Sequence, residues 1–287
     1  MDGARWGSRW VEAALDEDLG HGDLTTDATI PPDVVGAGRL LAKQPLVMAG
    51  HGVAAEVFAE VARRIGGEVR YTVVVPEGTA VEAGTVVATV EGALRPIVIG
   101  ERTALNLVMR MCGIATNTRR FVDAAGPDGP VVLDTRKTTP LHRSLEKHAV
   151  RCGGGRNHRH ALFDGVLIKD NHVDAVGSLT EAVRRARAAA HHLVRVEVEV
   201  RTLAEVDEAL GTEADVLLLD NMDDDTLREA VRRARARSPR VLLEASGNMT
   251  PERIGRIRTF GLDFVSAGGL VHQATWADLS LKVRRSR

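Results

Sequence analysis

The sequence predicts an α/β protein: an α/β barrel, incomplete at six or seven strands, behind a smaller N-terminal α+β domain. From about residue 131 onward, short Val-, Leu- and Ile-rich runs alternate with helical stretches, the pattern of parallel βα units. The runs end in residues that strand burial alone would not choose, and in parallel α/β folds the site lies beyond the C-terminal ends of the strands. The first 115 or so residues read differently, mixing strands, turns and a helix. Six runs fall short of the eight of a closed barrel, so an open sheet stands as the alternative.

In the first segment, Tyr71–Gly92 alternates strand and turn signals around Val75-Pro76-Glu77-Gly78 and Val81-Glu82-Ala83-Gly84, which reads as scaffold. A helix is predicted over about Gly100–Gly113, where Ala104, Leu107, Val108 and Met111 share a face. The six strands are predicted at Val131–Asp134, Val166–Lys169, Val194–Val200, Val216–Asp220, Val241–Glu244 and Phe264–Ala267. Helices are predicted between them at Leu179–Ala190, Leu203–Leu210, Thr226–Ala236 and Pro251–Arg258, the last announced by Thr250 with Pro at the first helical position. The expected domain limits are 1–115 and 116–272, with the tail 273–287 packing back on the first domain.

With 38 Lys and Arg against 39 Asp and Glu, the chain has no global electrostatic pull toward nucleic acid or an anionic membrane, so any basic site is local. Met1–Trp10 carries Arg5 and Arg9 without a following apolar run, and no later stretch approaches the ~20 apolar residues that span a bilayer. The expectation is a cytoplasmic protein. Cys112 and Cys152 each lack a second Cys at metal or redox spacing, which predicts packed, inert thiols.

Arg195-Val196-Glu197-Val198-Glu199-Val200 is the most informative stretch, because strand alternation puts the three Val on one side and both Glu on the other. Carboxylates facing a barrel interior are costly unless cations or a metal offset them. Asp220, ending the next run, adds a third to the same rim. A buried ion-pair network and a functional site both fit. Glu199 and Asp220, without His or Cys companions, suit Mg²⁺ shared with a substrate phosphate. Cations come from Asp134-Thr135-Arg136-Lys137-Thr138-Thr139, from Asn157-His158-Arg159-His160 and from Lys169. A pocket with two Arg, a Lys and a His points to a polyanion. Ser246-Gly247 and Gly268-Gly269 put free backbone N–H groups on late loops, where phosphates bind. Neither a P-loop nor a dinucleotide fingerprint is present.

Several segments resemble, in order, those of the quinolinate phosphoribosyltransferase family. They are Glu17-Asp18-Leu19-Gly20, Gly100-Glu101-Arg102-Thr103-Ala104-Leu105-Asn106, Asp134-Thr135-Arg136-Lys137-Thr138-Thr139-Pro140, Cys152-Gly153-Gly154-Gly155 with Asn157-His158-Arg159, Ile168-Lys169-Asp170-Asn171-His172, Leu219-Asp220-Asn221-Met222, Glu244-Ala245-Ser246-Gly247 and Asp278-Leu279-Ser280-Leu281. The resemblance implies an N-terminal sandwich, an incomplete barrel, and a homodimer, or a hexamer of such dimers, in which one subunit's N-terminal domain completes its partner's site. It implies an enzyme using Mg²⁺ that joins quinolinate to phosphoribosyl pyrophosphate (PRPP) and releases CO₂, giving nicotinate mononucleotide for NAD biosynthesis.

By the same resemblance, Arg102 reaches across the dimer interface to the substrate carboxylates, while Arg136, His158, Arg159 and Lys169 line the quinolinate pocket. Lys137 lies near the ribose or pyrophosphate. Glu199 and Asp220 hold the ribose hydroxyls and Mg²⁺, and Ser246, Gly247, Gly268 and Gly269 take the 5′-phosphate, with His272 among the substrate-binding residues. Lys169, Lys137, Glu199 and Asp220 are the catalytic candidates. The chain departs from the family pattern at Leu141-His142-Arg143, where Gly-Leu-Arg is common, at Gly269 and at Trp276. Two alternatives stay open: a related transferase with another acceptor, and an aldolase-like barrel in which Lys169 forms a Schiff base with a carbonyl substrate.

Overall fold

Residues 8–286 are described by a computed structural model of the chain; of the segment Met1–Trp10, Arg5 lies outside the described residues and so does the side chain of Arg9. In chain order the elements begin with α1 (Ser8–Leu19), α2 (Leu24–Thr29), β1 (Val35–Ala42), β2 (Leu46–Val47), α3 (His51–Ile65), β3 (Val69–Val73), β4 (Ala80–Val81), β5 (Val86–Ala93) and α4 (Leu94–Ala125). Then come β6 (Val131–Leu133), α5 (Arg143–Cys152), β7 (Val166–Ile168), α6 (Asp170–Val176), α7 (Leu179–Ala189), β8 (Val196–Val200), α8 (Leu203–Ala209) and β9 (Val216–Asp220). The chain closes with α9 (Asp224–Arg237), β10 (Leu242–Ser246), α10 (Pro251–Ile257), β11 (Phe264–Ser266), α11 (Gly269–His272) and β12 (Leu279–Arg285).

Two compact units result: Met1–Arg119 with Thr139–Gly154 and Ala274–Arg287, and Arg120–Thr138 with Gly155–Gln273. The first is built on an antiparallel sheet of order β12-β1-β5-β3. In β1 every second residue is buried, Leu40 and Ala42 among them, and Leu40 stands opposite Leu281 of β12. α3 buries Val53, Val57, Phe58 and Val61 at helical spacing.

α4 is longer than the predicted Gly100–Gly113. It runs through Gly113 because that glycine serves close approach: a Cβ there would sit 2.0 Å from the carbonyl oxygen of Thr275. The segment Thr139–Gly154, expected in the second domain, belongs to the first unit. Its buried Glu146 accepts from Arg110 Nε and Nη2 at 3.0 and 2.8 Å and from the backbone N–H of Thr139 at 2.8 Å. Its helix α5 is hard to read in the sequence, since the buried Leu145, Ala149 and Val150 are interrupted by Glu146 and Lys147, both buried as well. Just before α5, Leu141 stands where the family commonly has Gly. It is exposed and takes φ +68°, a left-handed conformation that glycine adopts without strain.

The second unit holds a parallel six-stranded sheet of order β6-β11-β10-β9-β8-β7. Its strands fall within a few residues of the predicted ones. Four of its helices start on the same device: Ser178, Thr202, Asp223 and Thr250 each accept a hydrogen bond from the backbone N–H three residues on. Caps of this kind fix where each helix begins and hence the length of the loop that leaves each strand. No described helix is long and apolar enough to cross a membrane.

Candidate active site

The C-terminal ends of the parallel strands open onto a cavity of about 700 Å³ in the second unit. Arg136 and Lys137 reach it from the segment after β6, and Lys169 from the residue after β7. Glu199 comes from β8, Asp220 ends β9, Ser246 ends β10, and Gly247, Gly268 and Gly269 sit on the following turns. His158, Arg159 and His272 also line it. Arg102 does not. It is exposed on α4 in the first unit, where it lines a separate cavity of about 660 Å³ with Trp10, Asp18, Arg110 and Trp276.

The two glutamates of β8 share a buried face but meet different partners. Glu199 Oε1 accepts from Arg201 Nη2 at 3.0 Å and feels Lys169, yet burial and the neighbouring Asp220 push its carboxyl above the usual range. A cation between Glu199 and Asp220 would relieve both effects. The donors are carboxylate oxygens, which suits Mg²⁺, so the residues present fit that ion.

Glu197 Oε2 lies 3.0 Å from His158 Nε2. The imidazole Nδ1 accepts the backbone N–H of Arg159 at 2.7 Å, which leaves Nε2 to carry the ring hydrogen and donate to Glu197. Glu244, buried on β10, two strands away across β9, faces Glu197 and Ser266. Burial and the charge of Glu197 push the Glu244 carboxyl up to about 8, which favours its protonated form beside Glu197. The loop carrying His158 and Arg159 is anchored by the fully buried Asp134, which accepts from Asn157 Nδ2 at 2.6 Å and from the backbone N–H of His158 at 2.9 Å. Asp134 thus positions the pocket without lining it.

Burial and the proximity of Arg136 pull the Arg159 guanidinium down from its ordinary value. Guanidinium groups gathered beside Lys169 and His158 repel one another, and a dianionic ligand between them turns that repulsion into attraction. Across the cavity, Gly247 has φ +91°, and a Cβ on it would lie 2.2 Å from Asn221 Oδ1 and 2.8 Å from Asn221 N. Gly247→Ala is therefore expected to cost about 1–3 kcal/mol of stability, read from a denaturant melt. An unchanged midpoint would mean that the Asn221 turn yields. A Cβ on Gly268 would meet Lys137 Cδ at 2.7 Å, so the lysine stem packs on that turn.

Sequence reasoning did not single out Arg201, Asn171, Asn221, Asn248 or Gln273, which also line the cavity, or the role of Glu244. Arg201 follows a predicted strand directly and was open to the strand-end argument; it pairs with Glu199 and Asp170. Asn221 and Asn248 take positive φ, 54° and 49°, which a sequence signals only weakly.

Models of two domains match the chain: quinolinate phosphoribosyl transferase N-terminal domain over residues 23–112 and C-terminal domain over residues 114–282. A nicotinate-nucleotide pyrophosphorylase [carboxylating] of Mycobacterium leprae is 43% identical over 272 residues, covering 94% of this chain and 95% of that protein. A probable nicotinate-nucleotide pyrophosphorylase [carboxylating] of Synechocystis is 42% identical, covering 96% and 92%. The solved structure of the Francisella tularensis nicotinate-nucleotide pyrophosphorylase superposes with a TM-score of 0.87 at 34% identity, covering 96% of this chain and 95% of that one. The ordered motifs, the cation-and-carboxylate cavity and these matches over nearly the whole length lead to one assignment: the chain belongs to the quinolinate phosphoribosyltransferase family.

Proposed function

We propose that this protein transfers the phosphoribosyl group of PRPP to quinolinate and decarboxylates the product, giving nicotinate mononucleotide, pyrophosphate and CO₂. The observation that carries the reading is the division of one cavity into a cationic wall of Arg136, Arg159, Lys169 and His158, a carboxylate rim of Glu199 and Asp220, and glycine turns at Gly247 and Gly268. The cations suit the two carboxylates of quinolinate, the rim suits ribose hydroxyls and Mg²⁺, and the turns with Ser246 suit a 5′-phosphate. His272 and Gly269 stand beside the phosphate end.

In this reading the ring nitrogen of quinolinate attacks C1 of the ribose as the C1–pyrophosphate bond breaks, the leaving group taking the electron pair. The protein holds the two reactants in line and meets their charges with fixed groups. Mg²⁺ held by Glu199 and Asp220 would supply neutralising charge for the pyrophosphate. Lys137, whose stem packs on the Gly268 turn, can extend its ammonium toward that charge. The new N–C1 bond leaves the ring nitrogen cationic. Loss of CO₂ then breaks the bond to ring carbon 2, leaves its electron pair beside that cation, and ends with proton uptake from water. Lys169 faces the developing negative charge.

The test is incubation of the purified protein with PRPP and Mg²⁺ and either quinolinate, nicotinate or nicotinamide. Nicotinate mononucleotide with stoichiometric CO₂ from quinolinate alone, lost on chelation and restored by Mg²⁺, is the expected outcome. Product from nicotinate instead would move the assignment to a transferase with another acceptor.

We read the assembly as a homodimer with shared sites, because Arg102 is exposed and lines no part of the second unit's cavity. Mixing Arg102→Ala with Lys169→Ala protein, each inactive alone, is expected to restore about a quarter of native activity through hybrid dimers that carry one intact site. No recovery after subunit exchange would place Arg102 and Lys169 in the same subunit's site. The cytoplasmic reading keeps its basis in a sequence without an apolar stretch long enough to span a bilayer, and the free thiols of Cys112 and Cys152 fit a reducing compartment.

A further inference from the structure

Away from the substrate cavity, three unlike donor groups meet within the first unit. His148 and Cys152 stand one turn apart on α5, at the i, i+4 spacing that brings two side chains to one helix face. Glu77, in the turn before β4, faces both: its Oε2 is 2.5 Å from His148 Nε2 and 3.7 Å from Cys152 Sγ. All three donor atoms lie within 4.8 Å of one another. The carboxylate is fixed from behind, since Oε1 accepts the backbone N–H groups of Gly50 at 2.6 Å and His51 at 2.8 Å. This is the arrangement in which an outer set of hydrogen bonds orients a metal ligand.

We propose that Glu77, His148 and Cys152 bind one zinc-type divalent cation, with a fourth position left for water. The donor set is what separates this site from the one at Glu199 and Asp220: carboxylate oxygen, imidazole nitrogen and thiolate sulfur together suit zinc, whereas oxygen alone suits magnesium. Zinc bonds of about 2.0–2.2 Å to oxygen and nitrogen and about 2.3 Å to sulfur put tetrahedral donors roughly 3.3–3.7 Å apart. The sulfur-to-oxygen separation already meets that, and the oxygen-to-nitrogen separation needs to open by about 1 Å as the shared hydrogen leaves.

Without a cation the Cys152 thiol faces Glu77 Oε2 at 3.7 Å. A divalent ion at the centre gives sulfur and carboxylate a common partner. Arg151 Nη2 lies 3.1 Å from His148 Nδ1, and ion binding at Nε2 moves the ring hydrogen to Nδ1, so this contact must give way as the ion enters. The search for Cys-to-Cys spacing overlooks such a site, because its second and third ligands are a histidine on the same helix and a glutamate far back in the sequence. The ion would clip the turn at Glu77 to α5, the helix that runs directly into Gly153-Gly154-Gly155.

The experiment is a Co²⁺ titration of the full-length, metal-stripped protein in excess Mg²⁺, which occupies the oxygen-donor site. A thiolate-to-cobalt charge-transfer band saturating at one Co²⁺ per chain is expected. The band should vanish in Cys152→Ser, persist in Cys112→Ser, and need at least tenfold more Co²⁺ in Glu77→Gln and in His148→Gln. Absence of the band, or its survival in Cys152→Ser, overturns the proposal. Should Cys152→Ser fail to fold, alkylation of the native protein decides: Zn²⁺ should slow labelling of Cys152, and equal rates with and without Zn²⁺ overturn the site.

Discussion

Lys169→Ala is expected to lower kcat by about 10²–10³-fold, the loss that follows removal of one fixed group aimed at developing charge, about 2.7–4 kcal/mol. Quinolinate binding should weaken less, because Arg136, Arg159 and His158 still meet the ligand's carboxylates. Lys169 is exposed at the mouth of a strand and its removal buries nothing, so the melting curve should be unchanged. Single-turnover rates separate the steps: the fall should appear in CO₂ release as well as in product formation. Turnover within a few fold of native would take Lys169 out of the chemistry. Borohydride trapping gives the complementary reading, since a stable adduct at Lys169 with a carbonyl compound would return the Schiff-base alternative.

The second large effect concerns stability. An unfolded glutamate loses its proton near pH 4.3, whereas Glu244 in the folded protein holds it up to about 8. Below the first value both states are protonated and the group contributes nothing to pH dependence. Between the two values unfolding releases a proton, so stability falls as pH rises, by up to about 1.4 kcal/mol per unit. Above pH 8 both states are ionised and the loss is constant. Glu244→Gln keeps a neutral donor toward Glu197 and removes the titration. The variant should match the native protein near pH 4 and exceed it by about 2–5 kcal/mol at pH 8. Denaturant melts at pH 4.5, 6 and 8 measure this, and parallel curves for the two proteins would show that Glu244 ionises normally.

The parallel strands were readable because each is an apolar run cut off by a charged or hydroxyl residue, and the same cut marks the cavity rim. Asp220, Ser246 and Lys169 all came from that rule. α5 was not, because its burial is half polar: Glu146 is held by Arg110 and Thr139, and the short apolar stripe of Leu145, Ala149 and Val150 is interrupted by buried charged residues. Strand alternation pointed to the shared face of Glu197 and Glu199. It could not say that one meets His158 and Glu244 while the other meets Arg201 and Asp220, since those partners depend on the order of the strands in the sheet and on the loops that cover it. The proton on Glu244 is a property of that neighbourhood and of no local motif. Gly113 misled in the opposite direction, a glycine kept for tight packing inside a helix that continues for three more turns.

The edge strand β12 carries a consequence for synthesis. It pairs with β1 along Gly36–Ala42, yet it is translated after every residue that lines the substrate cavity. Until it emerges from the ribosome, β1 presents an open row of backbone donors and acceptors, the kind of edge on which chains join one another. A chain stopped after Gln273 would own all its cavity residues and still be a candidate for self-association through β1, so premature termination here threatens solubility before it threatens catalysis.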